Sequence, residues 1–515
     1  MTRAIQHSHT RAIRGGASGS FLRGACALVV LLTMHSSAFT QYTRTDHFDA
    51  ALATLRRCAS SAGTGDHHAL IVSLRALNDQ SLRPFFESLT RSTHWSSRID
   101  GILGLAELST PREIDPQLIQ SLASVEDRST AIRTGVGLRL LSPAAIQALL
   151  KGPDLPTLDR VVLNAELHRL GGTASDTGLR AAVADPSDEI AGLAAALLLE
   201  RGDPSAWETF VTRISLRAPE LRNAGMQELA RAMLLYSIRA PIKSLIQLVQ
   251  GDAYTMQTRM IANGSALILE PKLGQAQWKV FTAKERSQSA LLRAGLQAMA
   301  QENHIEAGMG SSIRNGEPLI EAIADAIEAN ASADPKALAT ALEVVIDRAN
   351  RQSAEWAVKR ASGLPTALAA QVFEHLLTLF LSAPANTPAL GPVVLDCASR
   401  LALINPSGLE GLINRSGDEP QLQETLILAL CSAASPETAG VAGRVRGMLT
   451  RRGDALAVLA IARGSQSITP ECLIALGSVA AGGGDIDQTL LVQAAWLFAR
   501  HSGRTDKALA QMQPK

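Results

Sequence analysis

The densest group of potential metal ligands in the sequence is a run of three adjacent residues, Asp66, His67 and His68. Zinc needs three or four ligands that converge in space, whereas adjacent residues near the start of a helix point in different directions. We therefore interpret Asp66 as a helix cap and both histidines as solvent-facing, and we predict no metal site. The histidines further along the chain are single and have no partner at ligand spacing: His94, His168, His304, His375 and His501.

Cysteines are few, and three of them lie in the carboxy-terminal part of the chain. Cys397, Cys431 and Cys472 are separated by 34 and 41 residues, so helices that stack in register could bring two thiols together. In an oxidising compartment a disulfide between Cys397 and Cys431 is one alternative. The other is that they are small buried thiols on alanine-rich helices, the commoner use of unpaired cysteine.

Two clusters of basic residues are the features that could indicate an anionic partner. Phosphate contact requires such charges on one face, but cations also complement the dipole at the end of a helix. We favour solvated helix ends for both clusters. The clusters are Arg444, Arg446, Arg451 and Arg452, and a second group in which Lys272, Lys279, Lys284 and Arg286 flank Trp278 and Phe281.

Motifs for catalysis or nucleotide binding are missing from the sequence. There is no Gly-Lys pair, which excludes a P-loop, and no GxSxG, HExxH or SxxK match. We interpret Glu166, Asp188, Glu189 and Glu200 as exposed helix residues and not as paired glycosidase carboxylates. Aromatic residues make up 3% of the chain, which argues against stacking platforms for sugars or single-stranded nucleic acid. We predict a protein that is not an enzyme and has no catalytic residues, cofactor or metal.

Helices must position these side chains, because the chain repeats a unit of two short helices and one tight turn. The clearest copy runs from Asp185 to Ile214. Asp185-Pro186 and Asp203-Pro204 each predict a helix start, since aspartate caps orphan amides and proline at the first helical position loses no needed donor. Gly202 predicts the end of the first helix. The first helix is apolar on most sides and the second on one side, so a buried and a half-buried helix alternate.

An apolar triplet with constant internal spacing recurs along the amino-terminal half. The intervals between its copies are 33 and 29 residues, and a second amphipathic helix follows each copy. A period near 30 residues built from two helices is typical of an α-solenoid. The copies are Ile99-Leu105-Leu108, Ile132-Leu138-Leu141 and Val161-Leu167-Leu170.

In this pattern the chain resembles the HEAT-repeat family of degenerate helical repeats, most clearly between Asp185 and Ala206. HEAT-like arrays often carry a basic residue near the start of the second helix of each repeat. Arg98, Arg133 and Arg160 lie near that place, whereas Ala191-Gly192 does not continue the row. The resemblance implies an all-α fold, an α-solenoid of the HEAT or armadillo type in which antiparallel helix pairs stack into a right-handed superhelix.

The first 38 residues are predicted to form a signal peptide, cleaved after Ala38. Four arginines precede or flank a short apolar run from Ala25 to Met34, and small residues follow it. The run is far shorter than the roughly 20 residues of a membrane-spanning helix, so no integral span is expected after cleavage; a retained anchor is the alternative. The remaining chain has 45 basic and 48 acidic residues, and this near balance argues against a nucleic-acid surface.

The rest of the chain is predicted to contain two segments of helical repeats, residues 39–303 and 319–515, separated by a glycine-rich break at 304–318. Residues 47–92 are predicted to be the opening cap of the array, and residues 504–512 its polar closing cap.

Repetition without reactive residues favours an exported, periplasmic or extracellular, non-enzymatic scaffold that binds a protein or peptide on the concave face of the solenoid. One alternative is a secreted α/α-toroid enzyme acting on polysaccharide, because such enzymes also stack helical hairpins but close them into a ring. Another is a structural component of the cell envelope. The sequence by itself does not choose between a scaffold and a structural component, and it does not identify a partner.

Overall fold

The computed structural model describes residues 46–512, apart from 61–64, 153, 174–175, 252, 271, 275, 277–324, 327–328, 331, 349–350 and 383–389. Every regular element in these described ranges is a helix and none is a strand, which confirms the all-α class. No helix in the same ranges is long and apolar enough to cross a membrane. The predicted leader and the glycine-rich break at 304–318 lie outside the described residues.

The amino-terminal half alternates long and short helices. The helices are α1 (46–60), α2 (Gly65–Leu77), α3 (Arg83–Leu89), α4 (Trp95–Leu108), α5 (Pro116–Gln120), α6 (Val125–Gly137), α7 (Pro143–Leu150), α8 (Thr157–Arg169), α9 (Asp176–Ala182), α10 (Asp188–Glu200), α11 (Pro204–Ser215), α12 (Pro219–Tyr236), α13 (Ile242–Val249) and α14 (Met256–Leu269). From α4 onward, each even-numbered helix packs against the next even-numbered one.

The carboxy-terminal half is built in the same way. Its helices are α15 (Pro335–Asp347), α16 (Arg351–Ala361), α17 (Thr366–Ser382), α18 (Gly391–Ile404), α19 (Pro406–Arg415), α20 (Pro420–Ala433), α21 (Pro436–Val445), α22 (Arg451–Gly464), α23 (Pro470–Ala480), α24 (Gln488–His501) and α25 (Thr505–Met512). A continuous series of contacts runs through α15, α17, α18, α20, α22 and α24.

Short polar residues before proline start several of these helices, as the sequence predicts. Asp115, Ser142, Asp203 and Asp334 are the N-caps of α5, α7, α11 and α15, and each accepts a hydrogen bond from a backbone amide of the first turn. Asp185-Pro186 is an exception, because Ser187 caps α10 and the helix begins at Asp188. The Asp185 carboxylate accepts from the Ser187 amide instead, so the pair forms a turn before the helix.

Polar side chains join the first turns of neighbouring long helices. The Arg98 guanidinium in α4 donates to Asp127 in α6, and Ser129 in α6 donates to Asp159 in α8. Farther along, Asn223 in the first turn of α12 accepts from the Thr255 amide that precedes α14, at 2.8 Å. Because first turns meet first turns, the long helices run in the same direction, and their amino-terminal ends form one edge. We call it the amino-terminal edge.

The two ends of the described chain pack against each other. Helix α24 lies on α2, and α25 contacts α3. The rings of Phe48 and Phe498 lie 6.4 Å apart, and the Arg463 guanidinium donates to the Ala76 carbonyl at 2.7 Å. One core cluster therefore combines residues 48–108 with residues 326–512, while the other spans 99–269. The segments predicted to be opening and closing caps are thus interior members of one packed series and not free ends.

Candidate functional site

A groove of about 1060 Å³ opens where the two chain ends meet. It lies between α1, the first turns of α2 and α4, the loop that joins α3 to α4, and the last turn of α25. Most of its side chains are basic or carry a hydroxyl group. The lining residues that matter for its chemistry are Arg56, Arg57, Ser60, His67, Arg91, Ser92, Thr93, His94 and Ser97.

The charged side chains described in the lining of the groove are all basic. Arg56 and Arg91 are exposed, and in the described part of the chain neither side chain makes a hydrogen bond or ion pair. Arg57 donates to the Gln488 side chain at 3.4 Å, which holds it near the start of α24. No acidic side chain is among the described residues that line the groove. The described lining therefore carries positive side-chain charge without negative charge.

His67 lies in the wall of the groove, and its environment corrects the prediction from sequence. Its side chain is buried, with 9% of its surface exposed, so it does not face solvent as expected; His68 is exposed. Nε2 lies 3.4 Å from the Ser97 hydroxyl, and Nδ1 has no hydrogen-bond partner of ordinary geometry among the described residues. Burial lowers the pKa of His67, although the backbone of Cys58 and the charge of Asp100 act in the opposite direction. The histidine is neutral at pH 7.

The ends of two helices also face this groove. Helix α4 has 14 residues, and its N-cap is His94, which makes no side-chain capping bond. The first turn of a helix has unpaired amide groups and a partial positive charge. Arg98 holds the preceding loop in place by donating to the carbonyls of Ser92 and Thr93, at 3.0 Å each. His67 and Ser97 lie in the first turns of α2 and α4, and both residues line the groove.

Beyond the groove, the amino-terminal edge carries a row of apolar residues at the repeat period. Trp95, Val125, Leu155, Pro186 and Leu216 follow one another at 30, 30, 31 and 30 residues, each within two positions of the N-cap of a long helix. Three of them are well exposed, with 55% of Trp95, 40% of Val125 and 82% of Leu216 accessible. We call these five residues the apolar row. Its first member adjoins the groove through His94.

The first basic cluster is neutralised by acidic neighbours. Arg444 makes a bidentate pair with Glu410, with bonds of 3.0 and 2.7 Å. Arg446 pairs with Asp454 in the same bidentate way, and Arg452 lies 3.6 Å from Glu424. Arg451 and Arg452 begin α22 after the Thr450 cap, so the expectation that they end a helix is wrong. Of the second cluster, only Lys272 lies within the described residues.

Glu166, expected to be exposed, is completely buried in α8. Its carboxylate accepts from Arg139 at 2.7 Å and from both nitrogens of the Arg169 fork at 2.7 and 2.6 Å. The buried charge has an effect on its surroundings: burial raises the pKa of Tyr236 to about 12, and Glu166 adds to this rise. Guanidinium groups bind both carboxylate oxygens, so Glu166 has a structural role.

The described cysteines are buried free thiols. The Cys397 thiol donates to the Phe373 carbonyl and the Cys431 thiol to the Leu456 carbonyl, so each has its own backbone partner. Burial raises the pKa of the Cys431 thiol to about 12 and that of Cys397 well above its usual value. Of the two alternatives, the structure therefore contains the buried thiols.

The described residues contain no group of three or more histidine, cysteine, aspartate or glutamate side chains that could hold a metal ion. Comparison of the chain with protein-family models, with curated proteins and with solved structures finds no match. Any function must therefore be argued from the geometry itself.

Sequence reasoning did not find the groove, because its lining comes from residues 53–97 and 511–512. Nothing in the local pattern around Arg56 or Arg91 marks them as neighbours. The apolar row could have been found from the sequence, since its members share the period of the repeats.

Proposed function

We propose that this protein is a non-enzymatic scaffold, an exported α-solenoid of HEAT-like helical hairpins that binds an extended peptide segment of a partner protein. The apolar row supports this function, because three of its five members, Trp95, Val125 and Leu216, expose large apolar side chains at one regular position of the repeats. Exposed apolar surface of this kind commonly marks an interaction site. The sequence predicts that a partner binds on the concave face. We propose the amino-terminal edge as the surface that contacts the peptide.

The spacing of the row fits an extended chain. Packed helices lie about 8–10 Å apart, so successive members of the row are separated by about that distance. An extended peptide advances about 3.3 Å per residue, and three residues therefore span about 10 Å. A peptide lying along the edge would meet one member of the row at every third position. This geometry favours a ligand with apolar residues in a three-residue repeat.

One observation favours the enzyme alternative, and a second argues against it. The contact between the chain ends is what a closed α/α toroid would require. However, glycoside hydrolysis uses two carboxylates about 5–9.5 Å apart at the cleft. The groove at this contact is lined by arginine, histidine and hydroxyl side chains, with no carboxylate among its described residues. The scaffold therefore remains the better proposal.

The test is selection of peptides from a random 12-residue display library on the full-length protein. We expect enriched sequences with apolar residues at every third position. Loss of one apolar contact removes about 1.5–3 kcal/mol, so Leu216→Asp should weaken binding of such a peptide by about tenfold or more. Leu403→Asp is the matched control, because Leu403 is 67% exposed but lies in the last turn of α18, outside the row. Selection of peptides without this repeat, or equal weakening by both variants, would contradict the proposal.

A further inference from the structure

We propose that the groove at the meeting of the chain ends is a binding site for a phosphate-type oxyanion carrying two or more negative charges. The inference does not depend on the apolar row, although the two surfaces adjoin. It rests on two cations without an acidic partner among the described residues, on the first turn of α4, on hydroxyl donors and on a buried histidine.

The first argument is the contrast between arginines inside and outside the groove. Two arginines of the neighbouring helices are paired: Arg75 with Asp100 and Glu107, and Arg98 with Asp127. In the groove, Arg56 and Arg91 face the same space with no acidic partner in the described part of the chain. Like charges that line one groove repel each other when no anion lies between them. A bound dianion would remove that repulsion and accept hydrogen bonds from both guanidinium groups.

The backbone adds donors to these charges. The first turn of α4 lacks a capping side chain, which leaves its amides available to a ligand. The hydroxyl groups of Thr93 and Ser97 line the same wall and can donate to oxyanion oxygens. This combination of helix end, hydroxyls and arginine forks supplies donors from several directions, which suits a tetrahedral group better than a planar carboxylate.

His67 supplies an independent observation. A buried polar atom without a hydrogen bond carries a free-energy cost, and such atoms are uncommon in folded proteins. His67 is about nine-tenths buried in the wall of the groove, and its Nδ1 is one of these atoms. Its Nε2 is already within 3.4 Å of Ser97, the hydroxyl that lines the site. An anion bound to Ser97 would favour the protonated ring, and the unused nitrogen gives the ring a site for that proton.

The size of the groove sets the class of ligand. Its volume of about 1060 Å³ is at the upper end of small-molecule pockets, which span about 300–1,000 Å³. A single phosphate would leave most of this space to water. A diphosphate or a phosphorylated side chain with its flanking peptide would reach the arginines on both walls. Both ligands have the same oxyanion chemistry, and they differ only in what is attached to it.

The experiment is calorimetric titration of the full-length protein with inorganic pyrophosphate at 150 mM salt. We expect saturable binding, and we expect Arg91→Gln and Arg56→Gln each to weaken it by about tenfold, the effect of one charge-assisted hydrogen bond. Arg451→Gln is the matched control, because Arg451 is also exposed and begins a helix but lies outside the groove. Circular dichroism of each variant checks that the fold is kept. No saturable binding to the wild type, or equal binding by the groove and control variants, would overturn the proposal.

Two further arms separate this site from the proposed scaffold function. Leu216→Asp should leave pyrophosphate binding unchanged, so failure of peptide binding and failure of anion binding are distinguishable. Competition with a phosphoserine peptide tests the source of the anion. Displacement of pyrophosphate by the phosphopeptide but not by its unphosphorylated form would show that the site accepts the oxyanion as part of a peptide. Absence of displacement would show that it takes the free anion.

Discussion

Substitution of Asp79 by alanine should separate the two ends of the chain. Asp79 caps a 3-10 turn between α2 and α3, where its side chain accepts from the Ser81 amide at 3.0 Å. The same carboxylate reaches across to α24, accepting from the Trp496 indole at 2.9 Å and from Arg500 at 3.2 Å. Only 8% of the Asp79 side chain is exposed. One residue thus serves as a local cap and as a bond between distant parts of the sequence.

The expected loss in the free energy of unfolding can be divided between these two roles of Asp79. Loss of the cap costs about 1 kcal/mol. Trp496 is completely buried, and an indole donor left without an acceptor costs about 1–3 kcal/mol. Loss of the ion pair with Arg500 costs less, about 1 kcal/mol or below. The Arg500 side chain is 28% exposed and keeps its hydrogen bond to the Ala462 carbonyl. Asp79→Ala should therefore destabilise the protein by about 2–3 kcal/mol beyond the loss of a cap alone.

The assay is urea unfolding followed by circular dichroism, with Asp115→Ala as the control. Asp115 caps α5 through the Gln117 amide at 2.9 Å, is exposed, and has no partner in a distant helix among the described residues. A double-mutant cycle of Asp79→Ala with Trp496→Phe should give a coupling energy of about 1–2 kcal/mol. The reasoning is refuted if Asp79→Ala costs no more than Asp115→Ala, since the two chain ends would then not share this bond.

Acid provides a second measurement of the same bond. Burial acts to raise the pKa of Asp79, but the hydrogen bonds of Ser81 and Trp496 and the charge of Arg500 outweigh it and lower the pKa below 3.8. A carboxyl group with a lower pKa in the folded state adds stability that is present above its unfolded pKa and is lost as the pH falls through the folded value. The stability difference between wild type and Asp79→Ala should stay constant from pH 7 to about pH 5 and shrink below about pH 4.

Two other predictions test buried groups. Glu166→Ala should destabilise the protein by about 1.5–3 kcal/mol, because it removes the charged acceptor of Arg139 and Arg169, whose side chains are 40% and 24% exposed and can regain water. In the same urea titration Glu189→Ala, at an exposed position of α10, should stay within about 0.5 kcal/mol of wild type, and equal effects would contradict the structural role of Glu166. Cys397 and Cys431 should resist a thiol reagent at pH 8 in the folded protein, because burial raises their pKa, and both should react after unfolding without reductant. Thiols that stay masked in the unfolded protein would show a disulfide instead.

The sequence by itself determines the helices and most of their ends. Caps such as Asp203-Pro204 and a stop such as Gly202, which has a φ of +88°, act within a few residues and do not need a tertiary partner. Apolar spacing likewise identifies the faces that must be covered. Apolar spacing also indicates the period of the apolar row, but only the structure shows that Trp95 and Leu216 are exposed.

Only the tertiary structure decides which helix covers which face. Glu166 has the local pattern of an exposed residue, and it is buried because Arg139 and Arg169 enclose it from both sides. The groove depends on packing of α24 and α25 against α2 and α3, across more than 400 residues of chain. Local propensity carries no information about such contacts, because they join helices that are far apart in the sequence. The groove that holds Arg56 and Arg91 therefore arises where the two ends of the described chain meet.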